Sequence, residues 1–320
     1  MSLRCEVAMR WPWQKKSSNY TYCLGIELNQ GNAFAVLRDA TGVVDSYASE
    51  QDEEGLQGLS QWLASKRYGR IPVTVCLDQS RYELQLVDAP PVADDELSDA
   101  LGFRIRDLIG ESAVNKLLQA FPLPGDAYRG RMSMAFAAIA DRDYLRDIVK
   151  WCRDENLELQ TMTIDELSLL NLVAALEPET SVGVLRLEPK EGMIYLYQDG
   201  ALYFTRHLNF GTDDLMPEEA QVGDFTLENS SRGDMLTLEV QRSMDYFESQ
   251  LGLGSIGQLW VLPPDTVTID NVLIELEGNV NTPVRLLSLE TAFNRQLTES
   301  PLTASYAAAL GGTLSYELAN

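Results

Sequence analysis

Carboxylates dominate the side chains of this 320-residue sequence that could do chemistry: 48 Asp and Glu stand against 25 Lys and Arg, one histidine and four cysteines. A single imidazole, His207, cannot build a histidine-centred metal or general-base cluster. In Thr205-Arg-His-Leu-Asn209, at the end of an extended run, it reads as a structural residue. Cys5, Cys23, Cys76 and Cys152 lie far apart with no Cys-x-x-Cys pair, which argues against zinc and fits a reducing compartment. Chance carboxylate pairs abound in so acidic a chain, and most belong to solvated faces. Neither a Gly-x-Ser-x-Gly turn nor a Ser-x-x-Lys pattern stands between a strand and a helix, so no nucleophile is assigned. The residue types name no catalytic group and no metal ligand, and an enzyme is not expected.

Net charge excludes one more class. At −23 the surface repels phosphate backbones over the roughly 10 Å that salt leaves unscreened, so nucleic acid is not a partner. The basic exception is the stretch 1–20, with Arg4, Arg10, Lys15 and Lys16 against Glu6, and Trp11 and Trp13 around Pro12. Two readings fit this tail: a terminus whose tryptophans pack on the body, or a peripheral contact with anionic headgroups. No stretch reaches the roughly 18 consecutive apolar residues of a membrane-spanning helix, so the chain is expected in the cytoplasm.

The elements that position these side chains repeat. Cys23-Leu-Gly-Ile-Glu-Leu28 is apolar and β-prone, Asn29-Gln-Gly-Asn32 is turn chemistry, and Ala33-Phe-Ala-Val-Leu37 resumes the extended pattern, which predicts a hairpin. Later, Val182-Gly-Val-Leu-Arg-Leu187, Met193-Ile-Tyr-Leu-Tyr197 and Ala201-Leu-Tyr-Phe-Thr205 form a second meander, its last turn marked by Asp199-Gly200. Apolar runs at 71–77, 132–139 and 157–162 predict strands, and helical spacing predicts helices over 142–154, from Asp165 through Leu176, and over 234–251. Strands follow at 258–262 and 283–287, and a small-residue helix begins at Ser305. Residues about 80–131 interrupt the alternation: an edge-like strand at Tyr82, Leu84 and Leu86, then a helix from Asp94-Asp-Glu96, read as a small inserted subdomain. Length and pattern give an α/β protein with two related halves.

Three motifs carry a resemblance. Leu24-Gly-Ile-Glu-Leu-Asn-Gln-Gly-Asn32, Leu238-Glu-Val-Gln-Arg-Ser-Met-Asp-Tyr-Phe-Glu-Ser249 and Ala304-Ser-Tyr-Ala-Ala-Ala-Leu-Gly311 are similar to segments of the actin-like type IV pilus assembly family, PilM-like, and within it of MshI, the MSHA pilus biogenesis protein. The middle motif, like that family's Gln-Arg-Ser-Leu-Asp-Tyr-Tyr helix, is the specific one. The resemblance covers residues about 21–315 in order. It implies an actin-like (ribonuclease H-like) duplicated two-lobed fold: a basic flexible tail at 1–20, a first lobe at 21–180 with the inserted subdomain, and a second lobe at 181–320.

The family's nucleotide cleft is implied in degenerate form. In nucleotide-binding relatives the first hairpin pairs a carboxylate for the metal ion with a glycine that lets N–H groups reach phosphates. Here Glu27 keeps the carboxylate, Asn29 replaces the glycine, and Gln30, Gly31 and Asn32 complete the turn; a lysine of PilM proteins is matched by Phe34. The second phosphate turn, Asp-x-Gly in relatives, is Arg186, Leu187 and Glu188, and the adenosine loop carries Pro263 and Pro264. A carboxylate about 4 Å from a phosphate costs about 4 kcal/mol at an effective dielectric of 20. No cofactor is therefore expected, although Arg186 offers a cation to a phosphate. The resemblance implies a non-catalytic scaffold of the pilus assembly machinery, gripping the cytoplasmic tail of a PilN-like single-pass inner-membrane protein in the groove between first lobe and insertion. An ATP-binding conformational switch, holding ATP with Mg2+, is the alternative.

Overall fold

A computed structural model describes residues 16–17, 20–29, 31–49, 55–66, 68–77, 79–109, 115–215, 227–264, 267–293 and 302–318. The basic tail around Trp11 and Trp13, and Gln30 of the first hairpin, lie outside the described residues.

After β1 (Lys16–Ser17), the first lobe opens with an antiparallel meander of β2 (Cys23–Asn29), β3 (Asn32–Asp39) and β4 (Gly42–Ala48). Helix α1 (Gly55–Lys66) leads to β5 (Pro72–Cys76), which pairs parallel to β2. The insertion follows as β6 (Tyr82–Asp88), α2 (Leu97–Ile109), β7 (Lys116–Pro122) and β8 (Met134–Asp141). Helix α3 (Arg142–Asp154) returns to the lobe, β9 (Glu158–Thr163) joins β5 in parallel, and α4 (Asp165–Ala175) crosses to the second half. That half repeats the plan with β10 (Val182–Leu187), β11 (Gly192–Gln198) and β12 (Ala201–Leu208), followed by α5 (Thr212–Leu215), α6 (Leu227–Asp245), β13 (Gln258–Leu262), α7 (Asp270–Asn279), β14 (Val284–Leu286) and α8 (Leu289–Ala292). Helix α9 (Ala307–Thr313) and β15 (Tyr316–Glu317) close the chain, β15 pairing parallel to β1.

The two large sheets have one topology. Strand order is β4-β3-β2-β5-β9 in the first and β12-β11-β10-β13-β14 in the second, each an antiparallel meander continued by two parallel crossovers. Crossover helices cover such sheets on both faces, which is why β2 and β10 are apolar nearly throughout and buried along their length. At the β11–β12 turn Asp199 and Gly200 both adopt positive φ, 49° and 72°, as the Asp-Gly pair predicts.

The start of α3 follows capping chemistry. The Asp141 carboxylate accepts from the Asp143 and Tyr144 amides at 2.9 and 3.2 Å, so α3 begins at Arg142 and buries Leu145, Ile148 and Cys152. Helix 234–251 starts earlier than its apolar stripe, at Leu227, and its last turn, Tyr246–Gln250, is π-helical. Among the described residues α1, β4, β7 and α7, besides elements of two to four residues, have no counterpart in the sequence expectations; all four carry mixed, partly buried patterns.

The inserted sheet has the order β6-β8-β7, with Tyr82, Leu84 and Leu86 on an edge strand. Its centre strand β8 lies past residue 131, so the sheet extends beyond the 80–131 stretch. Helix α2 covers one face through Leu97 and Leu101. The β7–β8 loop reaches the second lobe: the Tyr128 and Tyr246 hydroxyls are 2.7 Å apart, Tyr203 donates to Asp126 at 2.9 Å, and the Arg129 amide donates to the Leu251 carbonyl at 3.3 Å. Tyr128 and Arg129 take the left-handed region to do so, at φ 54° and 57°.

Candidate interlobe cleft

Helices α4 and α9 cross beneath the cleft, and both are apolar on nearly all sides because both are buried. The Ser168 hydroxyl of α4 donates to the Ala308 carbonyl of α9 at 2.5 Å. A Cβ on Gly25 would stand 1.8 Å from the Ala309 carbonyl oxygen, and one on Gly311 would stand 2.0 Å from that of Ser168. Only bare backbone lets β2, α4 and α9 meet at this distance. The crossing brings Glu27, near the end of β2, and Asp165, at the start of α4, to face Arg186 near the end of β10.

Arg186 is 5% exposed, and its three nitrogens are each engaged. Nη2 donates to Glu27 Oε1 at 2.5 Å, Nη1 to Asp165 Oδ1 at 2.5 Å and Nε to Glu188 Oε1 at 3.0 Å. Asp165 Oδ2 accepts from the Tyr195 hydroxyl and from Gln79 Nε2, the latter at 3.0 Å, and Gln79 Nε2 lies 2.7 Å from the Tyr195 hydroxyl. Beside them, Glu166 accepts from the Tyr82 hydroxyl through Oε2 at 2.7 Å and from the Tyr197 hydroxyl through its carbonyl at 2.8 Å. One guanidinium thus meets three carboxylates from both lobes, inside a shell of tyrosines.

Burial sets the protonation of this cluster. Desolvation, with Asp165 adding to it, pushes the Glu27 carboxyl up to about 7 against the pull of Arg186. Desolvation and Asp165 likewise push Glu166 up to about 7. Burial pulls Arg186 towards neutrality, but its carboxylates outweigh that and hold it charged. Glu27 Oε2 is enclosed and has no hydrogen-bond partner.

A cavity of about 220 Å³ opens beside the cluster, walled by Glu27, Leu28, Asn29, Arg186, Glu188 and His207 among others. His207 Nε2 lies 2.9 Å from Glu191 Oε2 at its mouth. Of the residues named from sequence, Glu27, Asn29, Arg186 and Glu188 converge here. Gly31 occupies the hairpin turn at φ 88°, and Asn32 accepts from the Ser49 hydroxyl at 3.3 Å; neither lines the cavity. Pro263 and Pro264 follow β13 and do not line it either. Phe34 packs edge-on against Tyr306, ring centroids 5.8 Å apart. Asp165, Gln79 and Tyr195 escaped sequence reasoning: an acidic residue opening a helix is ordinary dipole chemistry, and nothing local announces the partner across the cleft.

No protein-family model matches the sequence, and a search of curated proteins finds no relative. Among solved structures, the PilM-PilN type IV pilus biogenesis complex is similar with a TM-score of 0.66 at 18% identity, over 93% of this chain and 98% of that one. The fold is actin-like. The cytoplasmic domain of EpsL, an inner membrane component of the type II secretion system of Vibrio cholerae, matches with a TM-score of 0.49 at 15% identity over 91% of this chain and 94% of that one. A Bacteroides thetaiotaomicron protein with an actin-like ATPase fold matches at 0.48 and 11%, over 86% and 93%. Among the described residues no helix is long and apolar enough to cross a membrane.

Proposed function

We propose that this chain is a non-catalytic scaffold of type IV pilus assembly, of the MSHA type, that binds the cytoplasmic tail of a PilN-like single-pass inner-membrane protein. It works in the cytoplasm, at the inner face of that membrane, through its partner. The fold shared with a PilM structure determined as a PilM-PilN complex supports the assembly role, and the MSHA branch rests on the resemblance carried together by the motifs at 24–32, 238–249 and 304–311.

The observation that carries the non-catalytic part is the engagement of Arg186. Glu27 is where the resemblance puts a metal-positioning carboxylate, and its Oε1 is held by a guanidinium of the other lobe. Glu188 stands where that resemblance puts a glycine of the second phosphate turn. A triphosphate with its metal ion would have to strip Arg186 from three carboxylates and then lie against them. Breaking one buried pair alone costs about 3–5 kcal/mol. The cleft is in this reading a fixed joint between lobes, and the chain serves by gripping protein.

Apolar groups on the insertion give a partner something to grip. Leu86 on β6, Val92, Phe103 on α2 and Met132 are large hydrophobic side chains with more than a third of their surface in water. Calorimetry with Mg-ATP and capture by an immobilised partner-tail peptide test the two halves of the proposal. No heat up to 100 μM Mg-ATP, and peptide capture that falls when Phe103 is changed to Ser, are the expected results. Saturable Mg-ATP binding below about 100 μM, roughly −5.5 kcal/mol, sinks the first half, and absence of capture with or without nucleotide sinks the second.

A further inference from the structure

Charge in the cleft does not balance. Glu27, Asp165 and Glu166 are almost wholly buried and Glu188 is largely covered, yet among the described residues Arg186 is the one cation within ion-pair distance of Glu27, Asp165 and Glu188, and Glu166 has none. Acceptor capacity does not balance either. Both oxygens of Asp165 are engaged, by Arg186 on one side and by Tyr195 and Gln79 on the other. Glu27 spends Oε1 on Arg186 and leaves Oε2 without a donor, in a residue 97% buried that forms part of the cavity wall. A built acceptor with no donor, set in a negative field at the edge of a cavity, is one half of a binding site.

The missing half must donate hydrogen bonds and carry positive charge. Phosphates fail on sign. Divalent metals need several oxygens converging at fixed short distance, and no group of three or more His, Cys, Asp or Glu side chains among the described residues is placed to hold one. A primary ammonium needs only acceptors within hydrogen-bond reach and brings three donors. Its alkyl stem finds apolar wall in Leu28, Leu77 and Met193, and Glu188 and Glu191 keep the entrance negative.

We propose that the interlobe cleft binds a primary alkylammonium group, whose N–H donates to Glu27 Oε2. The group comes from a free aliphatic amine or from a lysine side chain on a peptide; the chemistry of capture is the same. The inference rests on the nucleotide-free reading of the cleft given above. Protons compete for the same oxygen, because Glu27 titrates at about 7 with Arg186, Asp165 and Glu188 around it. Occupancy therefore strengthens from pH 6 to pH 8 by about tenfold in Kd, the ratio of ionised Glu27 at the two values.

The test is thermal melting and calorimetry of the full chain with methylammonium, putrescine, a lysine-containing tetrapeptide and, as a control that cannot donate, tetramethylammonium at matched ionic strength. Expected are a saturable stabilisation by the primary amines at pH 8, about tenfold weaker at pH 6, no saturable response to tetramethylammonium, and loss of the response in Glu27→Gln. Should that variant not fold, nuclear Overhauser contacts between methylammonium and the Leu28 and Leu77 methyls of the unaltered chain decide the matter. Whichever of putrescine and the tetrapeptide binds more tightly identifies the source. Equal responses to methylammonium and tetramethylammonium, or no response to any amine, overturn the proposal. Mg-ATP is run in parallel: if it too does not bind, only the ammonium site is lost, whereas saturable Mg-ATP binding overturns the reading on which both stand.

Discussion

Arg186 and Glu27 lie on the central strands of two sheets of identical topology, β10 and β2, and their side chains meet at 2.5 Å across the gap between the lobes. The contact is buried on both sides, with each side chain less than a tenth exposed. A pair so placed is costly to break, because the survivor is left dry and without its counter-charge.

Arg186→Ala is expected to lose about 3–5 kcal/mol of stability in urea titrations at pH 8. At pH 5.5 the loss is smaller, because Glu27 then takes a proton and no longer needs a counter-charge. An equal loss at both pH values argues against the ion pair as its origin.

Stability itself should fall as pH rises. Glu27 and Glu166 both have folded-state pKa values of about 7, above the ordinary 4.5, so the native state holds more protons than the unfolded chain between those limits. Their contribution is fully present below 4.5 and is lost as pH passes through 7, at about 1.4 kcal/mol for each unit of displacement. Melting temperature is expected to be higher at pH 6 than at pH 8. Replacing Glu166 by Gln should flatten that slope, and an unchanged slope would assign the effect to the general relief of the −23 charge instead.

Gly25→Ala should prevent folding or cost at least about 3 kcal/mol, the upper range for overpacking, because the added methyl meets backbone rather than a movable side chain. Gly125→Ala, with nothing within 4 Å of the new Cβ, is the matched control and is expected to stay within about 0.5 kcal/mol of the parent. Circular dichroism melts of the two variants check this.

Tyr128→Phe removes one hydroxyl from the bond between the β7–β8 loop and Tyr246. A modest loss of about 1 kcal/mol is expected, with faster amide exchange across residues 125–131. Unchanged exchange there would mean that the backbone bond from Arg129 to Leu251 holds the loop unaided.

How far the sequence was legible depends on the range of the interaction. Strands β2, β3 and β10 to β12 read clearly because apolar runs and turn residues such as Asp199-Gly200 are local signals. Helix α3 read clearly because Asp141 and the Leu145, Ile148 and Cys152 stripe agree. Strand β8 looked like part of the main alternation, since an apolar strand does not say which sheet it joins. In the cleft, Glu27 and Arg186 were visible as the ends of two related strands. Their meeting was not, because it depends on how α4 and α9 cross, and the same long-range packing hid Asp165 and Tyr195.

The β7–β8 loop ties the insertion to the second lobe, and Arg186 ties that lobe back to the first. First lobe, insertion and second lobe therefore form a closed circuit of contacts. Tension applied to any one member is shared between two routes, as in a braced frame, so a pull on one lobe would load the whole body before it turned that lobe against the other.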